Sequence, residues 1–140
     1  MCKEFRVVFI LFLALALRAA EAKHSFVGGI QSISVEDPEV KEAADAIMAK
    51  INQDYRGERS LVLVKIEEAK YQIVAGFKYY LQLRVGESRC LKNKPRRKCK
   101  LDKSRPHKAC RADIWSRLWV TKMDINDWRC YPYESDESNE

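Results

Sequence analysis

Four cysteines, Cys90, Cys99, Cys110 and Cys130, crowd into the last 51 residues of this 140-residue chain, and nothing else constrains its fold as strongly. Whether they cross-link depends on the compartment, and the start of the chain speaks to that. Met1 to Arg6 carries Lys3 and Arg6, followed by the 11-residue apolar run Val7 to Leu17, then Arg18 and the small-residue exit Ala20-Glu21-Ala22. A basic start, a short apolar stretch and small residues two apart are the parts of a secretory signal peptide, here residues 1–22, with cleavage expected after Ala22. As a membrane anchor the run falls short, since 11 residues rise only about 16 Å as a helix, half of the hydrocarbon thickness. Cys2 leaves with the leader. The four remaining cysteines then read as two disulfides in an oxidising compartment, with three pairings formally open. Zinc is disfavoured, because it wants C-x₂₋₄-C pairs and the intervals here are 9, 11 and 20 residues.

A chain of this length makes one domain, and 46% hydrophobic residues are enough to fill its core. A net charge of +6 permits an anionic partner without demanding one. No glycine-rich dinucleotide or phosphate-binding motif occurs, which removes nicotinamide and nucleotide enzymes. With only His24 and His107 and no motif for an activated nucleophile, catalysis has little support. Asp124 and Asp127, with His107 or Glu134, read as solvated ion-pair partners rather than a catalytic set.

Past the leader, Lys23 to Gly29 reads as a mobile arm ending in Val27-Gly28-Gly29. Asp37 then supplies a helix cap and Pro38 fits the first helical position, where its missing N–H needs no partner. Val40, Ala43, Ala44, Ile47, Met48 and Ile51 share one face of a helix of four to five turns, with Gly57 as its stop. Beyond Gly57 the period changes to two. Leu61 to Ile66 is aliphatic and β-branched, and Phe77, Tyr79, Leu81, Leu83 and Val85 alternate with Lys78, Tyr80, Gln82 and Arg84. Ala112, Ile114 and Ser116 suggest a third strand, and Val120 to Cys130 a fourth. One helix followed by antiparallel strands predicts an α+β fold in which the sheet wraps the helix.

Lys92 to Arg111 stands apart, with ten cations against Asp102 alone and no hydrophobic period. It reads as a long loop tied down by Cys99 and Cys110 rather than by packing. Residues 133–140 read as an acidic, solvated tail, which leaves 23–132 as the folded domain. No N-x-[ST] sequon is present, so N-glycosylation is not expected.

Three features in order resemble the secreted, type 2 cystatins, inhibitors of papain-like cysteine proteases. They are Val27-Gly28-Gly29 in the arm, Gln72-Ile73-Val74-Ala75-Gly76 as the family's Q-x-V-x-G hairpin loop, and Trp119, 11 residues before the last cysteine. The resemblance implies a cystatin fold with a sheet wrapped around one long helix, and disulfides Cys90–Cys99 and Cys110–Cys130. It also implies a wedge formed by the arm, the Gln72–Gly76 loop and a second hairpin bearing Leu118 and Trp119. That wedge would block a cathepsin-type cleft reversibly and competitively. Secretion, a monomeric state, no enzymatic activity and no cofactor or metal go with this picture. Leu118 departs from the family's Pro before the Trp, and Val120-Thr121-Lys122 lacks its glycine. Asn52 is followed by Gln53 and Asp54 rather than set in a Ser-Asn-Asp motif, so legumain inhibition is not carried over. The competing readings for single elements are a flexible joint at Gly28-Gly29, an ordinary strand bend at Gln72 to Gly76 and a buried core position for Trp119. For the whole chain the alternative is a non-inhibitory cystatin-like protein binding heparin-like polyanions or membranes through its basic loop, chiefly Arg96, Arg97 and Lys98. No nucleic acid and no membrane span are expected.

Overall fold

The computed structural model describes residues 28–94, 96–117 and 119–134. The expected leader, the expected arm up to Val27, Leu118 and residues 135–140 of the expected tail lie outside the described residues.

A single helix, α1 (Pro38–Asp54), rests on one antiparallel sheet of five strands in chain order. The strands are β1 (Gln31–Ser32), β2 (Arg59–Ile73), β3 (Phe77–Leu91), β4 (Lys108–Ser116) and β5 (Asp124–Pro132). The helix starts as the sequence predicts, since the Asp37 side chain accepts from the Glu39 N–H at 2.9 Å and Pro38 opens the first turn. All six expected apolar residues are buried. They meet Tyr79, Leu81, Leu83 and Val85 of β3 and Ala112 and Ile114 of β4 in one core. At Tyr79, burial first and then a hydrogen bond donated to the Glu39 carboxylate push the phenol pKa up. Register shifts in β2 at three places add local twist, and so bend the long β2–β3 ribbon around the helix.

The helix does not stop at Gly57. It ends at Asp54, with Tyr55 turning into extended backbone while its N–H still reaches the Ile51 carbonyl. Lys92 closes that end by donating its ammonium to the carbonyls of Asn52, at 2.9 Å, and Tyr55. A cation at a helix C-terminus also complements the dipole there. Asn52 is itself committed to structure, exchanging two hydrogen bonds with the Leu61 backbone at 2.7 and 2.8 Å.

Three boundaries differ from expectation. The long basic loop is shorter than Lys92–Arg111, because Lys108–Arg111 already belongs to β4. Packing also holds it, for Leu101 bridges Ser88 and lies over Gly86, where the paired part of β4 has ended. The last strand starts at Asp124 rather than Val120, the intervening residues forming the β4–β5 turn. Tyr133 is docked, not solvated: its N–H donates to the His107 carbonyl at 3.0 Å and the Arg84 guanidinium sits over its ring. The disulfides pair as the resemblance implies, Cys90 with Cys99 and Cys110 with Cys130. Cys110 and Cys130 face each other across β4 and β5, so that bridge pins the edge strand.

Candidate functional site

The β2–β3 turn, the β4–β5 turn and the residues before β1 meet at one end of the sheet. Gln72 and Ile73 are the last residues of β2, and Val74 to Gly76 reverse the chain. The Val74 N–H donates to the Gly76 carbonyl at 3.0 Å. Ala75 and Gly76 both take positive φ, 45° and 119°. At Gly76 the demand is twofold. A Cβ there would lie 2.4 Å from the Ser116 carbonyl oxygen and 3.1 Å from the Arg117 Cα, both of them backbone. The missing side chain therefore lets the first hairpin rest against the exit of β4, where Phe77 pairs with Ser116.

Gln72 ties the third part to this pair. Its amide donates to the Gly28 carbonyl at 2.6 Å, and its side-chain oxygen accepts from the Tyr80 hydroxyl at 3.0 Å. Gly28 itself has φ of 97° and open space around its Cα, so conformation rather than crowding calls for glycine there. Lys78 stands 5.0 Å over the Tyr80 ring and 2.8 Å from Asp113, whose hydrogen bond raises the Lys78 pKa. The alternation along β3 gave Tyr80 a place on the face opposite Tyr79 but did not announce this hydrogen bond. The signal was available, since Gln72 lies opposite Lys78 and therefore diagonal to Tyr80 on one face. Gln72→Leu keeps the strand but removes both hydrogen bonds. We expect it to release Gly28, seen as faster proteolysis ahead of Ile30, with the melting temperature within a few degrees of wild type.

Both turns at this end carry an exposed apolar side chain. Ile73 is 47% and Trp119 65% exposed, whereas Trp128 packs against the core and Trp115 is half-buried beside the Arg117 guanidinium. The core reading of Trp119 is thereby overturned. Arg117 also pairs with Asp124 across the base of the second turn, and the Val120 N–H closes it on the Arg117 carbonyl at 3.1 Å. Asp127 pairs with Arg129, so neither aspartate stands near His107, which packs by Tyr133 and Gly86 at the far end. Gly28, Gly29, Gln72 to Gly76 and Trp119 are thus gathered at one edge. Val27 and Leu118 lie outside the described residues.

Comparison with known proteins places the whole arrangement in context. Residues 28–119 match the cystatin domain. The chain is 33% identical to the cystatin of Notechis scutatus scutatus over 136 residues, covering 91% of this chain and 96% of that protein. Among solved structures, Al-CPI superposes with a TM-score of 0.71 at 26% identity, covering 76% of this chain and all of the other. Dimeric human cystatin F does so with a TM-score of 0.69 at 25% identity, covering 82% and 97%.

Proposed function

This chain belongs to the cystatin family, whose members are generally cysteine protease inhibitors, and we propose that it is a secreted, type 2 member acting on papain-like proteases of the cathepsin kind. The observation that carries the reading is the convergence of Gly28, the Gln72–Gly76 turn and exposed Trp119 on one edge. A papain-like cleft is a groove with a Cys/His pair in its floor. Ile73, Val74 and Ala75 are uncharged and easily desolvated, so they suit the floor region, while Trp119 offers an aromatic anchor on one side. Gly28 and Gly29 add little bulk on the other side, where Val27 would precede them. The tight turn at Ala75-Gly76 offers no extended segment for the nucleophile to attack. Inhibition is therefore competitive and reversible. The two hairpin turns are already packed on each other, which limits the ordering cost of binding. A single copy presents all three parts, so a monomer suffices, and the two disulfides are consistent with secretion.

Titration of active papain and cathepsin L with the disulfide-bonded protein tests this directly. Inhibition that substrate competes away, at submicromolar protein, is the expected result. Folded protein that leaves both enzymes fully active at micromolar concentration points to a non-inhibitory scaffold and overturns the proposal.

A further inference from the structure

The other end of the molecule carries a second feature that the wedge does not use. Asp102 is the one acid in the connection from β3 to β4, Glu87 of β3 lies beside it, and both are already committed. Glu87 accepts from the Tyr55 hydroxyl at 2.9 Å and from Arg105 at 2.5 Å. Asp102 accepts from the Ser104 N–H and hydroxyl at 3.1 and 2.6 Å and lies 3.8 Å from Arg59. Lys92 is spent on the helix carbonyls. What remains is Lys94, Arg96, Arg97, Lys98, Lys100 and Lys103, all exposed and in no ion pair among the described residues. Exposed Arg89 joins them, because its N–H donates to the Lys100 carbonyl at 2.9 Å. The Cys90–Cys99 bridge and the Leu101 contact hold these like charges together against their own repulsion.

We propose that this cationic end is a binding site for a sulfated linear polysaccharide of the heparin type. Its ligand contacts combine the guanidiniums of Arg89, Arg96 and Arg97, which can grip sulfates bidentately, with lysine ammoniums acting as point charges along a short, cross-linked path, which suits a flexible chain of anions. Among the described residues 89–107 the one exposed large apolar side chain is Leu91, at 36%, with no exposed aromatic beside it, which is too little apolar surface to anchor a bilayer and gives nucleic-acid bases nothing to stack on. β3 runs 15 residues from one end to the other, which places the patch roughly 45 Å from the Gly76 turn. A polysaccharide here leaves the protease edge free. The site stands whether or not that edge inhibits a protease.

Heparin-affinity chromatography in a salt gradient tests it with two triple variants of equal net charge. Arg96→Ser/Arg97→Ser/Lys98→Ser should elute at clearly lower salt, with the slope of log affinity against log salt reduced by about 2–3. Lys41→Ser/Lys50→Ser/Lys65→Ser removes three cations elsewhere and should elute close to wild type. Papain titration of the loop variant should match wild type. The proposal fails if both variants lose retention equally, since net charge alone then explains binding. It also fails if phosphatidylserine vesicles hold the protein at higher salt than heparin does, which assigns the patch to a lipid surface.

Discussion

Gly76→Val should raise the inhibition constant against papain by at least about 100-fold, a loss of roughly 2.7 kcal/mol, while the protein stays folded with both disulfides closed. The backbone at φ of 119° is one that a β-branched residue adopts only under strain, a cost on the order of 1–3 kcal/mol. Changing φ relieves that strain only by reshaping the turn. Keeping φ drives the new Cβ onto the Ser116 carbonyl, 2.4 Å away, and the atom it meets is backbone rather than a side chain able to swing aside. Either escape separates the first hairpin from the exit of β4 and so breaks the alignment of the Gln72–Gly76 turn with Trp119. The core lies beneath β3 and β4 and includes none of the turn residues, so melting should fall by several degrees without loss of cooperativity. Gly76→Ala meets the same two obstacles with less bulk and should fall between. Wild-type inhibition by a folded Gly76→Val protein would remove the hairpin contact from the mechanism.

The elements legible in the sequence are those whose signal is local. Asp37-Pro38 and the spacing from Val40 to Ile51 announce α1, and the alternation from Phe77 to Val85 announces β3 and its buried face. The two-residue β1 has no period to read and exists only because Gln31 and Ser32 find Tyr71 and Lys70 on the edge of β2. Gly57 misled because a glycine near a helix end usually marks the stop. The helix is ended here by Lys92, 37 positions beyond Tyr55 and reachable only once β3 is in place. The site divides in the same way. Its residues were found through their order along the chain, whereas its clamp joins Gln72 to Gly28 across 44 positions and to Tyr80 through the register of β2 on β3.

Trp119→Ala should weaken papain binding by about 2–4 kcal/mol, or roughly 30- to 1,000-fold. An indole offers about 150–250 Å² of surface, and this one is 65% exposed. Burying that exposed share in a cleft at about 25 cal/mol per Å² gives roughly 2.5–4 kcal/mol as an upper value. Because the ring faces water in the free protein, its loss should leave the melting temperature almost unchanged. That pairing of a large binding loss with a negligible stability loss distinguishes an interface anchor from a core residue. On the proposed mechanism, the residue before Trp119 governs how much of the anchor is realised. Proline fixes φ where leucine does not, so a proline at this position would lower whatever ordering cost the second turn still carries on binding. Leu118→Pro should accordingly tighten inhibition about two- to five-fold, the range that removing such freedom yields when the native backbone tolerates proline. If Trp119→Ala costs less than twofold and Leu118→Pro tightens binding in the same assays, the second hairpin is idle in the natural protein. Affinity then rests on Gly28 and the Gln72–Gly76 turn.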